Sequence, residues 1–231
     1  MLPRRRYCVT HILLDVDGTL VDFETAMWHA LGRVAELISE RTGTLVTPQH
    51  LQSLRNQVAV EPGWQGKPLL DIRVEAFRRV LAAAGEDDAT VARELSDRFV
   101  ATREETLVVY PDAAEALPVL HARGFTLVAA TNGNVFLERQ EIARYLAHVH
   151  RADDVGVGKP DPRFFALALE RTGGRAETAV AVGDRIDNDV APAQELGMAG
   201  ILIDRRGAVD DPAIHRIERL TELLEVLELP E

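Results

Sequence analysis

Two carboxylates and a glycine follow an apolar segment close to the N-terminus of the chain. Asp15 and Asp17 come after the apolar residues 11–14, and Gly18 follows them. In an extended segment, side chains two positions apart point to the same side, and two like charges at that range resist joint ionisation. A bound cation or a catalytic role would offset that cost, although Asp and Gly also form ordinary turns. The pair is therefore a candidate site whose meaning depends on the rest of the chain.

Two later segments carry groups suited to an anion. Thr131 and Asn132 follow the apolar run 125–130, and a hydroxyl with successive backbone N–H groups before a helix suits a phosphate. Lys159 precedes Pro160 in a loop that opens a helix, where a fixed ammonium group would suit a phosphate clamp. Both segments also have a non-functional interpretation: the first as an ordinary turn, and the second as a loop with a solvated lysine.

A third segment carries carboxylates suited to a metal ion. Asp184, Asp187 and Asp189 follow the apolar run 179–182. Carboxylate oxygens are the hard ligands that Mg²⁺ prefers, although aspartates at a helix start also serve as caps. Arg185 beside Asp184 is expected to form an ion pair or to be solvated.

The elements that must position these groups alternate between strand and helix. Strands are predicted at 9–14, 125–130, 179–182 and 199–203, and helices at 113–122, 135–145, 162–171, 190–196 and 214–229. This pattern predicts an α/β fold, a Rossmann-like parallel sheet with helices on both faces. The apolar pattern from residue 25 to about residue 108 is helical throughout. We therefore expect a discontinuous catalytic core, 1–20 with 109–231, and an inserted α-helical domain at 21–108.

Composition narrows the class of protein. The chain has 231 residues, 46% hydrophobic and 27% charged, which is typical of a globular protein. A formal net charge of −11 argues against nucleic acid or an anionic membrane as the partner. Cys8 is the only cysteine, so no internal disulfide can form and a cytoplasmic location is expected. The seven histidines show no metal-ligand spacing, which argues against zinc.

The order of these motifs is more specific than any one of them. Asp-x-Asp-Gly-Thr, Thr-Asn-Gly, Lys-Pro and Gly-Asp-x-x-x-x-Asp follow one another, and three of them directly end a predicted strand. This order resembles the haloacid dehalogenase (HAD) superfamily over nearly the whole chain. The helical block at 21–108 resembles the cap that the phosphatase branch of that family inserts after its first strand.

The resemblance implies a role for each motif residue. It makes Asp15 the nucleophile that forms an aspartyl-phosphate, and Asp17 the general acid and then base. Thr131 and the Asn132 amide, with the turn at Gly18, would bind phosphate, and Lys159 would steady Asp15 and the phosphate. The implied cofactor is Mg²⁺, with the metal set Asp15, Asp17 (through its backbone carbonyl), Asp184 and Asp189.

Asp17 also selects among the reactions of the family. A carbon–halogen bond needs no proton on its leaving group, and the family's dehalogenases and phosphonate-cleaving members lack an acid at this place. The resemblance therefore implies a phosphatase acting on a small phosphorylated metabolite, such as a sugar phosphate, phosphoglycolate or a nucleoside monophosphate. The chain departs from the commonest pattern at Leu14, Asp112 and Arg185, where an aromatic residue, Gly and a small hydroxyl residue are frequent.

Substrate specificity is expected to lie in the helical insert. Trp64 and Lys67 stand in its least helical stretch and are candidate substrate contacts, although a connector with Trp64 in the insert's core is favoured. Arg55 and Arg73 are further candidates for an anionic substrate. Arg103 is expected on a solvated helix face.

Two other functions stay open. A phosphomutase of the same superfamily keeps both acids of the first motif. A non-catalytic protein that binds a phosphorylated ligand is less favoured, because no motif residue is missing. No nucleic acid or membrane partner is expected, and either a monomer or a homodimer fits the sequence.

Overall fold

The computed structural model of the protein describes residues 6–230, so residues 1–5 and 231 of the predicted core lie outside the described residues. The strands are β1 (Tyr7–Cys8), β2 (His11–Leu14), β3 (Thr126–Thr131), β4 (His148–Arg151), β5 (Ala179–Gly183), β6 (Ala199–Ile203), β7 (Arg216–Ile217) and β8 (Leu227–Glu228). The α-helices are α1 (Phe23–Thr42), α2 (Pro48–Val60), α3 (Leu69–Ala83), α4 (Ala89–Thr106), α5 (Pro111–Ala122), α6 (Ala152–Val155), α7 (Pro162–Thr172), α8 (Ala191–Glu195) and α9 (Leu223–Val226). The chain forms two compact units, Met1–Asp22 with Val109–Glu231, and Phe23–Val108.

The first unit is built on a six-stranded parallel sheet in the order β4-β3-β2-β5-β6-β7, and β1 pairs with β8 in a separate parallel ribbon. The prediction of an α/β fold is therefore confirmed. All four residues of β2 are buried, as expected for a parallel strand covered on both faces. Because β3 and β5 flank β2, the strand order reverses there, and open α/β sheets bind ligands outside the carboxyl ends of the strands at such a point.

Apolar faces of two helices account for much of the first unit's core. α7 buries Phe164, Phe165, Ala168 and Leu169, which belong to one cluster with Leu13 of β2 and Val128 of β3. α5 buries Ala113, Ala116, Leu117 and Leu120, at the spacing that places side chains on one helix face. α5 packs against β3 and α9.

The second unit consists of α1–α4 around its own apolar core. Phe77 of α3 meets Phe99 of α4 edge to face, with ring centroids 6.4 Å apart. α2 begins after Thr47, whose hydroxyl accepts a hydrogen bond from the His50 N–H, and α4 begins after Asp88, whose carboxylate accepts from two backbone N–H groups. Such caps satisfy N–H groups that a helix start otherwise leaves unpaired.

Three predicted helices differ from the structure. Segment 135–145 forms two 3₁₀ turns, Leu137–Arg139 and Glu141–Tyr145, separated by extended Gln140. Segment 190–196 begins earlier, as a π-helical turn at Ile186–Val190 that leads into α8. The prediction of a helix at 214–229 holds only for the middle of that segment, where a 3₁₀ turn at Leu220–Glu222 leads into α9, because pairing of β7 with β6 and of β8 with β1 holds the ends extended.

No helix within residues 6–230 has both the length and the apolar character needed to cross a membrane.

Gly32 offers a test of the helical unit's packing. It lies within α1, and a Cβ atom added there would meet no atom within 4 Å. Gly32→Ala is therefore expected to raise the free energy of unfolding by about 0.5–1 kcal/mol, because alanine loses less backbone entropy in a helix. Urea unfolding followed by circular dichroism measures the change.

Gly43→Ala is the matched control, since a Cβ there also meets open space but the backbone has φ +70°. This variant is expected to be destabilised by about 1 kcal/mol, because alanine disfavours a left-handed conformation. A shift of the same sign in both variants would contradict this account.

Candidate active site

The predicted core residues meet at the carboxyl end of the sheet. Leu14, the last residue of β2, lies opposite Ala129 of β3 and Val182 of β5. Asp15 follows directly, and its N–H donates to the Val182 carbonyl at 2.9 Å. Because the strands are parallel and in register, Thr131 at the end of β3 and Asp184 after β5 lie at the same edge of the sheet.

A buried ammonium group joins two of the carboxylates. The Lys159 Nζ donates to Asp15 Oδ1 at 2.5 Å and to Asp189 Oδ1 at 2.7 Å. All three side chains are at least nine-tenths buried. Burial alone would lower the pKa of Lys159, but the negative charges of Asp15 and Asp189 outweigh burial and raise that pKa. The ammonium form is therefore the one that this environment selects.

Asn132 fixes the backbone from which Lys159 projects. Its side-chain amide donates to the Lys159 carbonyl at 2.7 Å and accepts from the Lys159 N–H at 2.8 Å. The Asn132 side chain thus positions the lysine loop, a role that the sequence did not indicate.

Three carboxylates lie close enough to hold one metal ion. Asp15, Asp184 and Asp189 each offer an oxygen atom, and these atoms lie within 4.8 Å of one another. Asp15 and Asp189 are buried, whereas Asp184 is exposed. A cluster of hard oxygen donors on the sheet edge fits Mg²⁺, because Mg²⁺ prefers carboxylate ligands and keeps some of its waters. The residues present therefore suit the predicted cofactor.

The cluster carries more negative than positive charge. Desolvation, together with the charges of Asp15 and Asp189, raises the pKa of Asp184 to about 6. Burial and the charge of Asp15 likewise raise the pKa of Asp189, against the opposing effect of Lys159. One ammonium group thus does not fully compensate the three carboxylates.

Asp17 and Thr131 lie beside the glycine that follows Asn132. The Gly133 N–H donates to the Thr131 hydroxyl at 2.7 Å. A Cβ atom on Gly133 would collide with Asp17 Oδ2 and approach Thr131 Oγ1 to 3.1 Å. Because Gly133 has no side chain, the Asp17 carboxylate and the Thr131 hydroxyl can both lie against its backbone.

Two further glycines make room for the carboxylates of Asp184 and Asp189. Gly18 has φ +87°, and a Cβ there would lie 2.5 Å from Asp184 Oδ2. A Cβ on Gly183, the last residue of β5, would overlap the Asp189 carboxyl group. Asp189 Oδ2 also accepts from the Arg185 N–H at 3.1 Å, which orients this carboxylate from its other side.

The expected ion pair of Arg185 is confirmed. The Arg185 guanidinium donates to Asp187 Oδ2 at 2.8 Å, and both side chains are mostly exposed. Arg185 is therefore held by its neighbour.

Sequence reasoning missed Arg205, which holds the loop that follows Asp15 and Asp17. Its guanidinium donates to the carbonyls of Gly18 at 3.2 Å and Thr19 at 2.7 Å. It also pairs with Asp112 at 2.9 Å and stacks 3.8 Å above the Tyr110 ring. No motif marks Arg205 in the sequence.

The sequence does mark Asp112 as unusual, because the related superfamily frequently has glycine at this position. Its Oδ2 accepts from Arg205 and from the Leu220 N–H at 2.7 Å. Asp112 thereby links the loop at Gly18 and Thr19 to the C-terminal segment of the same unit.

The candidate residues of the helical insert differ in how deeply they are buried. Trp64 is partly buried against Val58, Ile72 and Ala76, which agrees with the interpretation as core packing. Lys67 is exposed. The two side chains line a shallow cleft of about 300 Å³ within the helical unit. Arg103, expected to be solvated, is 2% exposed, and that expectation is wrong.

Comparison with known proteins identifies the family. Residues 9–197 match the family model of haloacid dehalogenase-like hydrolases. A glyceraldehyde 3-phosphate phosphatase of Methanopyrus kandleri is 35% identical over 94% of this chain and 96% of that enzyme. A phosphoserine phosphatase of Thermus thermophilus is 35% identical over 67% of this chain, a match that spans 63% of that enzyme's length.

A solved structure extends the likeness to the fold. The 2-haloacid dehalogenase of Pseudomonas syringae pv. Tomato superposes with a TM-score of 0.79 and 31% sequence identity, covering 94% of this chain and 97% of that one. The match of the family model over most of the chain, on an α/β core with its motif residues at the end of the sheet, shows that the protein belongs to the haloacid dehalogenase-like hydrolases.

Proposed function

We propose that the protein is a Mg²⁺-dependent phosphatase that hydrolyses a small phosphorylated metabolite through an aspartyl-phosphate on Asp15. The observation that carries this proposal is the contact of one buried ammonium group with Asp15 and Asp189, beside a second acid at Asp17. A phosphate monoester is an anion, so a carboxylate can attack it only where positive charge offsets the repulsion. Two phosphatases among the related proteins support the same chemistry.

Each group has a defined task in the proposed reaction. Asp15 attacks phosphorus and forms an acyl phosphate, while Lys159 holds its carboxylate in place. Asp17 donates a proton to the departing oxygen and later removes one from the attacking water. The Thr131 hydroxyl accepts from the Gly133 N–H, so its own proton would serve as the donor to a phosphoryl oxygen.

Mg²⁺ held by Asp15, Asp184 and Asp189, with the Asp17 backbone carbonyl, would stabilise negative charge on the transferred phosphoryl group. The helical unit Phe23–Val108, inserted in the chain between β2 and β3, is proposed to serve as the cap that carries substrate specificity.

Asp15→Asn tests the nucleophile. The variant is expected to lose at least about 10³-fold in kcat for p-nitrophenyl phosphate with Mg²⁺, because the amide cannot form the covalent intermediate. Asp187→Asn makes the same chemical change at an exposed site that pairs with Arg185, and its kcat should stay within about twofold of wild type. Undiminished turnover in Asp15→Asn would remove the assignment of the nucleophile.

Asp17→Asn tests the general acid. We expect kcat to fall about 10²–10⁴-fold for an alkyl phosphate and less for p-nitrophenyl phosphate, because an alkoxide needs protonation more than a nitrophenolate does. Equal losses with both leaving groups would contradict this role. Wild-type protein should release no chloride from 2-chloropropionate, and chloride release would favour a dehalogenase instead.

The raised pKa of Asp184, about 6 against 3.8 for a free side chain, predicts how the metal site responds to pH. Below pH 6 the carboxyl binds a proton that must leave before a cation can bind, so apparent Mg²⁺ affinity should rise from pH 5 to pH 7. Thermal unfolding with and without Mg²⁺ measures this, and the stabilisation should be larger at pH 7. A stabilisation that does not change with pH would count against this site.

Two outcomes would favour the other functions. Isomerisation of a sugar phosphate without net release of phosphate would indicate a phosphomutase. No hydrolysis across a broad panel of phosphate esters would indicate a protein that only binds a phosphorylated ligand.

A further inference from the structure

Two arginines in the helical unit carry positive charge without a carboxylate partner. Arg55 of α2 and Arg73 of α3 form no ion pair with any Asp or Glu among residues 6–230. Arg73 is 7% exposed, and its Nη1 donates to the neutral Gln52 side chain at 2.9 Å. Buried arginines are normally paired, because an unpaired buried charge is costly.

Arg55 adds a buried donor with no acceptor. Its Nε has no hydrogen-bond partner, and its Nη1 reaches only the neutral Asn56 side chain, at 3.3 Å. Arg55 and Gln52 are three residues apart on α2, so they share a helix face. Gln52 binds Arg73, and the positive charge of Arg55 lowers the pKa of Arg73, so the two guanidinium groups lie near each other.

The charges of this pair are not neutralised by their surroundings. Burial, and then the positive charges of Arg55 and Arg103, lower the pKa of Arg73 to about 9. The Arg73 guanidinium lies 4.5 Å from the centre of the Phe99 ring, a contact that offsets only part of the cost. Other arginines of the same helix differ: Arg78 and Arg79 both bind Glu75, and Arg79 also binds Glu61.

We propose that Arg55 and Arg73 form a binding site for an anionic oxygen group, a carboxylate or a phosphate. An anion would satisfy the unpaired Arg55 Nε and relieve the repulsion between the two cations. Guanidinium groups present planar pairs of N–H donors that match the two oxygens of such a group. Resting on the proposed function, the site selects phosphate esters that bear a second anionic group.

Matched substrates test whether the substrate carries this anion. Phosphoglycolate and 2-hydroxyethyl phosphate differ only by a carboxylate in place of a hydroxymethyl group. The wild-type protein is expected to favour phosphoglycolate in kcat/KM by about 10-fold or more. Propane-1,3-diol bisphosphate against 3-hydroxypropyl phosphate makes the same comparison for a second phosphate.

Substitutions test whether Arg55 causes the preference for substrates with a second anionic group. Arg55→Gln changes a half-buried side chain and should lower kcat/KM for the charged substrate about 10- to 100-fold, mainly through KM. The same variant should change kcat/KM for the hydroxyl analogue less than about 3-fold, which general damage to the fold would not do. Arg78→Gln, on α3 and paired with Glu75 and Asp87, is the control and should keep the wild-type preference.

A binding measurement tests the alternative that the site binds a free anion and not a group of the substrate. Sulfate at constant ionic strength should raise the Tm of the wild-type protein more than that of Arg55→Gln, whatever its catalytic activity. A sulfate effect without a substrate preference would support the site with a free anion as its ligand. Absence of both the preference and the Arg55-dependent sulfate effect would overturn the proposal. No hydrolysis across a broad panel of phosphate esters, with the Arg55-dependent sulfate effect still present, would overturn the phosphatase function alone.

Discussion

The contact of the Lys159 ammonium group with Asp15 and Asp189 is the interaction on which the rest of the site depends. Taking these charges out of water is costly, and only close mutual contact makes the arrangement tolerable. The surrounding structure supports that contact. Asn132 fixes the backbone at Lys159, and Gly183 leaves room for the Asp189 carboxylate. Removing Lys159 would leave the buried carboxylates of Asp15 and Asp189 without a counter-charge, so these residues constrain one another.

The parallel sheet explains why distant parts of the chain can build this contact. β2 lies between β3 and β5, so groups that follow each of the three strands share one edge, although the group after β2 precedes the other two by more than a hundred residues in the chain. Arg205 extends the same principle beyond the motifs. By binding the carbonyls of Gly18 and Thr19 together with Asp112, it ties the loop after Asp17 to a later part of the same unit.

An element can be predicted from the sequence where its own residues carry the pattern, and it cannot where distant contacts determine its structure. The α/β class could be predicted because buried strands such as β5 are continuous apolar runs. β4, with the sequence His-Val-His-Arg, has no such run, so the apolar pattern predicts no strand there. Segment 214–229 has apolar residues at helical spacing, but pairing with strands far away in the chain overrides local preference there. Arg205 acts through backbone carbonyls, which leave no trace in a sequence.

In both units, charged groups without enough opposite charge around them indicate a ligand of opposite charge. In the core, the three carboxylates of Asp15, Asp184 and Asp189 lie near one ammonium group, and the uncompensated negative charge points to a divalent cation. In the helical unit, Arg55 and Arg73 have no carboxylate partner among the described residues, and the same reasoning points to an anion. Arg78 and Arg79 show that this helix pairs its arginines where no ligand is required. An unpaired buried charge is therefore more informative about function than the net charge of the chain.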